Sequence, residues 1–206
     1  MHIAYDTTTG RVVAGPDVRR GRSVELEDRY RCPVCNSSLR YSDEPSGELD
    51  YFEHRHTSCI RDGNMSAEHR LAEEIITKEL LNCLPFPIEA IAVDIEGRIG
   101  NTTDFIISDV CVRKPIQLAV EVIHTHKKIQ SPRRLEVLAK EGYQLMYVAV
   151  DSTELPSATT DGILKGVNST DIGRFDLETL RVTWGQIVSP AKANRTGGPK
   201  GLSMSA

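Results

Sequence analysis

The sequence predicts an α/β fold, a mixed sheet flanked by helices, preceded by a small module rich in cysteine and histidine. Three observations predict it. Leu71, Ile75, Ile76, Leu80 and Leu81 recur at helical spacing, and three strand-like runs follow them. A second helical stretch then leads into a buried-type strand, Gln144 to Val150, and a crossover of that kind requires parallel pairing of the strands it joins. Residues 30 to 60 hold three of the five cysteines, two histidines and little core-forming sequence.

The elements follow in order. His2 to Tyr5 and Arg11 to Ala14 flank the turn-rich Asp6-Thr7-Thr8-Thr9-Gly10 and read as a hairpin. A polar, arginine-rich link runs from Pro16 to Arg22, and a short strand is expected at Leu49 to Phe52. Ser66 is placed to cap a helix that Pro85 and Pro87 close. Strands are expected over Ile88 to Ile95, Thr103 to Ile107 and Ile116 to Ile123, with Glu96-Gly97-Arg98 as the turn between the first two. Ser131-Pro132 opens the second helix, Leu135, Val137 and Leu138 carry it, and Gly142 ends it. The chain is polar from Asp151 to Asn168, and Ile172 to Trp184 supplies one or two edge strands. Beyond Pro190 come Lys192, Arg195 and Lys200 among glycines and serines, the composition of a disordered tail. The expected division is residues 1–62 as hairpin and cysteine-rich module, 63–188 as the α/β core, and 189–206 as tail.

The 206 residues carry a net charge of -4, which excludes a uniformly basic surface, so nucleic-acid contact would need a local patch. No apolar run follows Met1 and none approaches the ~20 residues of a membrane span, so a cytoplasmic protein with no membrane contact is expected. Three of the five cysteines cluster with histidines, which suits metal binding in a reducing compartment better than disulfides. Cys83 and Cys111 stand in apolar surroundings and are expected to be buried thiols.

Cys32-Pro33-Val34-Cys35 offers two thiolates on a tight turn. Cys59, with His54 or His56, offers a second pair at the spacing of a zinc ribbon or knuckle. His54, directly after a strand-like run, is the better-placed histidine. Four protein ligands leave no open position, so the zinc would be structural and would help a core-poor segment fold. A redox pair should lie in a βαβ unit, and this one does not.

A carboxylate inside an apolar strand is costly unless paired or metal-bound. Asp104 begins Phe105-Ile106-Ile107, and Glu121 lies within Leu118 to Ile123. On neighbouring strands the two would face the same end of the sheet and could share a hard divalent ion, Mg²⁺ or Mn²⁺. Glu68, on the preceding helix, could add an oxygen. His124, Thr125, His126, Lys127 and Lys128, with Arg133 and Arg134, could form a basic loop facing phosphate, or simply a solvated charge run. Separately, a strand-start Asp is commonly a cap and a strand Glu commonly faces water.

Taken together these residues resemble the competence-protein CoiA-like family. The resemblance rests on Cys32-Pro33-Val34-Cys35, Phe52-Glu53-His54, Cys59, Ser66-Ala67-Glu68-His69, Asp104, Glu121 to His126 and Tyr147 to Val150, and covers about residues 1 to 150. It implies a zinc-finger-like segment joined to a restriction-endonuclease-like domain of the PD-(D/E)XK type, a metal-dependent DNA endonuclease. It implies that Asp104 and Glu121 bind the metal, with Glu68 assisting. DNA is the implied partner, and a homodimer is compatible. One departure stands out: the pattern expects Lys or Gln two positions after the Glu, where this chain has Ile123. Lys127, Lys128, a histidine of that loop or a residue of the following helix would have to substitute. The alternatives are a catalytically inactive DNA-binding module of the same fold, or a zinc-organised protein-interaction domain.

Overall fold

The computed structural model describes residues 2–15, 18, 29–42, 51–55, 66–123, 132–150 and 172–190. The described chain forms two sheets and two helices. Strands β1 (Ile3–Asp6), β2 (Arg11–Ala14), β3 (Tyr30–Arg31), β4 (Ser38–Ser42) and β5 (Tyr51–His54) make an antiparallel sheet in the order β2-β1-β3-β4-β5. Its small core is Ala4, Cys32, Leu39 and Phe52, with the rings of Tyr30 and Tyr41 tilted against Phe52.

Helix α1 (Ala67–Cys83) begins as expected at Ser66, whose hydroxyl accepts from the His69 N–H at 3.2 Å. Every residue from Ala72 to Thr77 is buried, so the middle of α1 is enclosed on all sides. One side meets the N-terminal hairpin: Ile3, Val12 and Ala14 share an apolar cluster with Ile75, Ile76 and Leu80. Asn82 binds the Val12 backbone twice, accepting from its N–H at 3.1 Å and donating to its carbonyl at 2.8 Å. Buried Glu74 accepts from the His2 N–H. Cys83, expected inside, is exposed because it falls on the outer face of the helix's last turn.

The second sheet contains β6 (Ala92–Gly100), β7 (Phe105–Lys114), β8 (Leu118–Ile123), β9 (Gln144–Val150), β10 (Ile172–Asp176) and β11 (Arg181–Thr183), in the order β11-β10-β9-β8-β7-β6. Pairing is antiparallel from β6 to β8, parallel from β8 through β10, and antiparallel again at β11. The parallel crossover is helix α2 (Pro132–Lys140). Helix α1 covers one sheet face through Val110, Val112, Val120 and Val122, and α2 covers the other through Ala119, Ile123, Leu145 and Tyr147. Among the described residues no helix is long and apolar enough to cross a membrane.

Two expectations about the first strand are corrected. Ile88–Ala90 is a short 3-10 turn, so β6 starts four residues late. Glu96-Gly97-Arg98 is not a turn, since β6 runs straight through it. Gly97 is there for space, because a Cβ at that position would lie 2.5 Å from the Cys111 Cβ. The reversal falls instead at Asn101–Asp104, where the Asn101 carboxamide oxygen accepts from the N–H groups of Thr103 and Asp104. Glu96 does adopt a left-handed φ of 53° and breaks the alternation of faces. Val93 and Ile99 are both odd-numbered, yet they pack on opposite faces of the sheet. The same break occurs on β7 between Ile106 and Val110, and Asp109 lies within it.

Candidate functional site

Asp109 stands where β7 and β8 part. Their paired residues end at Val110–Val120. One step beyond, the Asp109 carboxylate accepts from the Val122 N–H at 2.6 Å, a donor a continuing β7 would have occupied. Buried Ser108 donates toward the carbonyls of Val110 and Val120 and closes the same gap. In the sequence Asp109 is a lone carboxylate with apolar runs on both sides, Phe105 to Ile107 and Val110 to Val112, a pattern that marks a buried acid.

From α1, His69 and Glu73 reach toward Asp109. Their spacing of four places them on one helix face. His69 Nε2 lies 3.3 Å from Glu73 Oε1 and 3.7 Å from Asp109 Oδ1. One ligand atom from each of the three residues lies within 4.8 Å of the others. Burial disfavours a charged imidazole, but the carboxylates of Asp109 and Glu73 outweigh it and raise His69 to about 10. Glu73 is fully buried, and that burial raises it to about 7 despite His69. Glu68, the helix acid expected at the site, is exposed on the first turn, while its neighbour His69 faces the sheet.

Glu121 occupies the middle of β8, one residue past Val120, and so sits across from Asp109. Burial, then the nearby Asp109 charge, raises it to about 7. Its Oε2 accepts from Arg134 of α2 at 2.5 Å, and its Oε1 is buried with no hydrogen-bond partner. Asp104 does not join this group. It lies in the β6–β7 reversal, five residues from Asp109, roughly 15 Å along the strand. Arg133 reaches it at 3.3 Å and Lys140 at 4.0 Å, so it ties the reversal to α2. Ile123 is sealed in the core with Leu135, Leu138 and Tyr147. Lys127, Lys128, His124 and His126 lie outside the described residues.

The second cluster is the cysteine turn. Cys32–Cys35 forms the connection between β3 and β4. Asn36, at a left-handed φ of 59°, and the Asn36 N–H to Cys32 carbonyl bond of 2.8 Å fold it tightly. The N–H groups of Val34 and Cys35 point at Cys32 Sγ, at 3.4 and 3.5 Å. His54 comes from β5, which pairs with β4 at Leu39, and its Nε2 lies 3.5 Å from Cys35 Sγ. Burial lowers the His54 pKa and favours the neutral imidazole that a metal needs. Cys32, Cys35 and His54 therefore offer three converging ligand atoms. Cys59 and His56 lie outside the described residues.

The fold and its two clusters define an α/β protein with an acid-rich cluster where two strands part and a compact cysteine–histidine turn. No protein-family model matches the chain, and a search of curated proteins finds no match to it.

Proposed function

We propose that the chain is a metal-dependent nuclease of the restriction-endonuclease-like, CoiA-like kind, hydrolysing phosphodiester bonds in DNA. The observation that carries this reading is the cluster of His69, Glu73 and Asp109 where β7 leaves β8, with the Asp109 charge also acting on Glu121. Glu121 Oε1 is buried there without a hydrogen-bond partner, an unfavourable state that a bound cation would relieve. The carboxylate oxygens fit a hard divalent ion, Mn²⁺ or Mg²⁺. Such an ion, when bound, polarises a phosphoryl oxygen and makes its water acidic. Asp109 and Glu121 would hold it, Glu73 would complete the set with His69 orienting the carboxylates, and the enclosed α1 would fix the positions of Glu73 and His69. Asp104 has no part in this arrangement.

The cysteine turn fits a structural zinc held by Cys32, Cys35 and His54, with Cys59 as the fourth ligand. Support comes from the two N–H groups aimed at Cys32 Sγ, which stabilise a thiolate. A binding-only module is the second reading, favoured by the core position of Ile123 where a catalytic cation is usual.

Incubation with supercoiled plasmid in Mn²⁺, Mg²⁺ or EDTA tests the first reading. Nicking is expected with Mn²⁺ and none with EDTA. DNA that is bound yet left intact under every metal would establish the second.

A further inference from the structure

Phosphodiester chemistry needs a cation beside the acid pair, and Ile123 cannot supply one. The cation that reaches Glu121 comes from α2. One Arg134 nitrogen lies 2.5 Å from Glu121 Oε2 and 2.5 Å from the Ile107 carbonyl, two residues before Asp109. The Arg134 side chain is 22% exposed, so it touches both the buried carboxylate and solvent. With Arg133 it occupies the first turn of α2, which has no acidic residue. For helix stability alone this is the wrong end for two guanidinium groups, because the helix dipole is already positive there. The arrangement instead concentrates positive field at the mouth of the acid cluster. A divalent ion and Arg134 would then compete for one carboxylate, and the competition is reciprocal.

We infer that Arg134 is an exchangeable counter-ion: it neutralises Glu121 without metal, and a divalent ion on Glu121 and Asp109 releases its guanidinium to grip a phosphate of the substrate. The released group takes the role left empty at position 123. Arg134 is thus a substrate-binding residue switched on by the metal. The inference rests on the hydrolytic reading above, and the arms of its test separate the two.

The test uses the full chain as wild type, Arg134→Gln, Arg134→Lys and Arg133→Gln. Calorimetric titration with Mn²⁺ should show Arg134→Gln binding about 5-fold tighter or more. Arg133→Gln should stay within about 2-fold, because its charge is exposed and screened. Binding of a labelled DNA duplex is then measured in Ca²⁺ and in EDTA. Arg134→Gln should lose about tenfold in Ca²⁺, the worth of one charge-assisted hydrogen bond, and nothing in EDTA, where the wild-type guanidinium is held by Glu121. Arg134→Lys should show both changes at smaller size and carries the comparison if the Gln variant does not fold. Mn²⁺ binding that is unchanged or weaker in the Arg134 variants overturns the exchange, as does an equal loss of DNA affinity with and without Ca²⁺. A wild-type chain that fails to nick plasmid overturns the hydrolytic reading, while the Mn²⁺ titration still decides Arg134.

Discussion

The Asp109 carboxylate accepts a hydrogen bond from the Val122 N–H, so an acid side chain replaces backbone at the point where β7 and β8 separate. That substitution places the acid where its charge acts on Glu121. It also makes the two aspartates of this region unequal, since Asp104 is engaged by Arg133 and Lys140 in the distant reversal.

Asp109→Asn and Glu121→Gln should each lower Mn²⁺-dependent nicking by about 100-fold or more, while Asp104→Asn should keep most of it. Nicking rates at saturating metal, with circular dichroism to verify folding, check this. A dead Asp104→Asn beside an active Asp109→Asn would move the site back to the reversal.

Ile123→Lys should not create activity. The new ammonium would enter a sealed apolar layer between β8 and α2, next to Leu135 and Leu138. An unpaired buried charge of this kind costs about 3–5 kcal/mol. Urea unfolding should show the loss directly. A stable, more active variant would mean that position 123 opens into the site.

The acid cluster also sets a pH dependence. Folding raises Glu73 and Glu121 from 4.5 to about 7, so between those pH values the folded chain binds more protons than the unfolded chain. Stability in EDTA should therefore fall as pH rises from about 4.5 to 7. His69, raised from 6.5 to about 10, extends the decline through that higher window. Glu73→Gln should flatten the first part of the curve. Mn²⁺ should reverse the trend, because it binds the deprotonated groups, and its stabilising effect should grow with pH. Melting curves across pH, with and without Mn²⁺, distinguish these outcomes.

Purified, reduced protein should hold about one zinc per chain. Cys32→Ser should release it and lower the melting temperature by roughly 5 °C or more, the equivalent of about 2 kcal/mol for a chain of this size. Elemental analysis and calorimetry measure both. A metal-free wild type that melts like the variant would reduce the cysteine turn to a hydrogen-bonded loop.

Much of the fold was legible because local chemistry and tertiary context agree. Ser66 caps its helix, the hairpin closes over Asp6–Gly10, and the apolar runs of β8 and β9 pair in parallel across α2. The misplaced turn at Glu96–Arg98 shows the limit. Glycine there serves a close strand contact with Cys111 rather than a reversal, a distinction only the neighbouring strand can supply. The acid site was half legible. Glu121 stood out as a charge in an apolar strand, but choosing its partner required the register of β7 against β8. Alternation alone could not give that, since the left-handed Glu96 flips the faces partway along. The i, i+4 pair of His69 and Glu73 was present in the sequence. It became meaningful only once α1 proved to be buried through its middle turns.

The apolar cluster that joins Ile3, Val12 and Ala14 to Ile75, Ile76 and Leu80 has a consequence for how the molecule comes apart. Neither sheet can shed α1 without exposing the hydrophobic face of the other. Heating should melt both layers in one cooperative transition, with equal calorimetric and van't Hoff enthalpies. Damage to the amino-terminal layer would then register as slackening of the helix that presents His69 and Glu73.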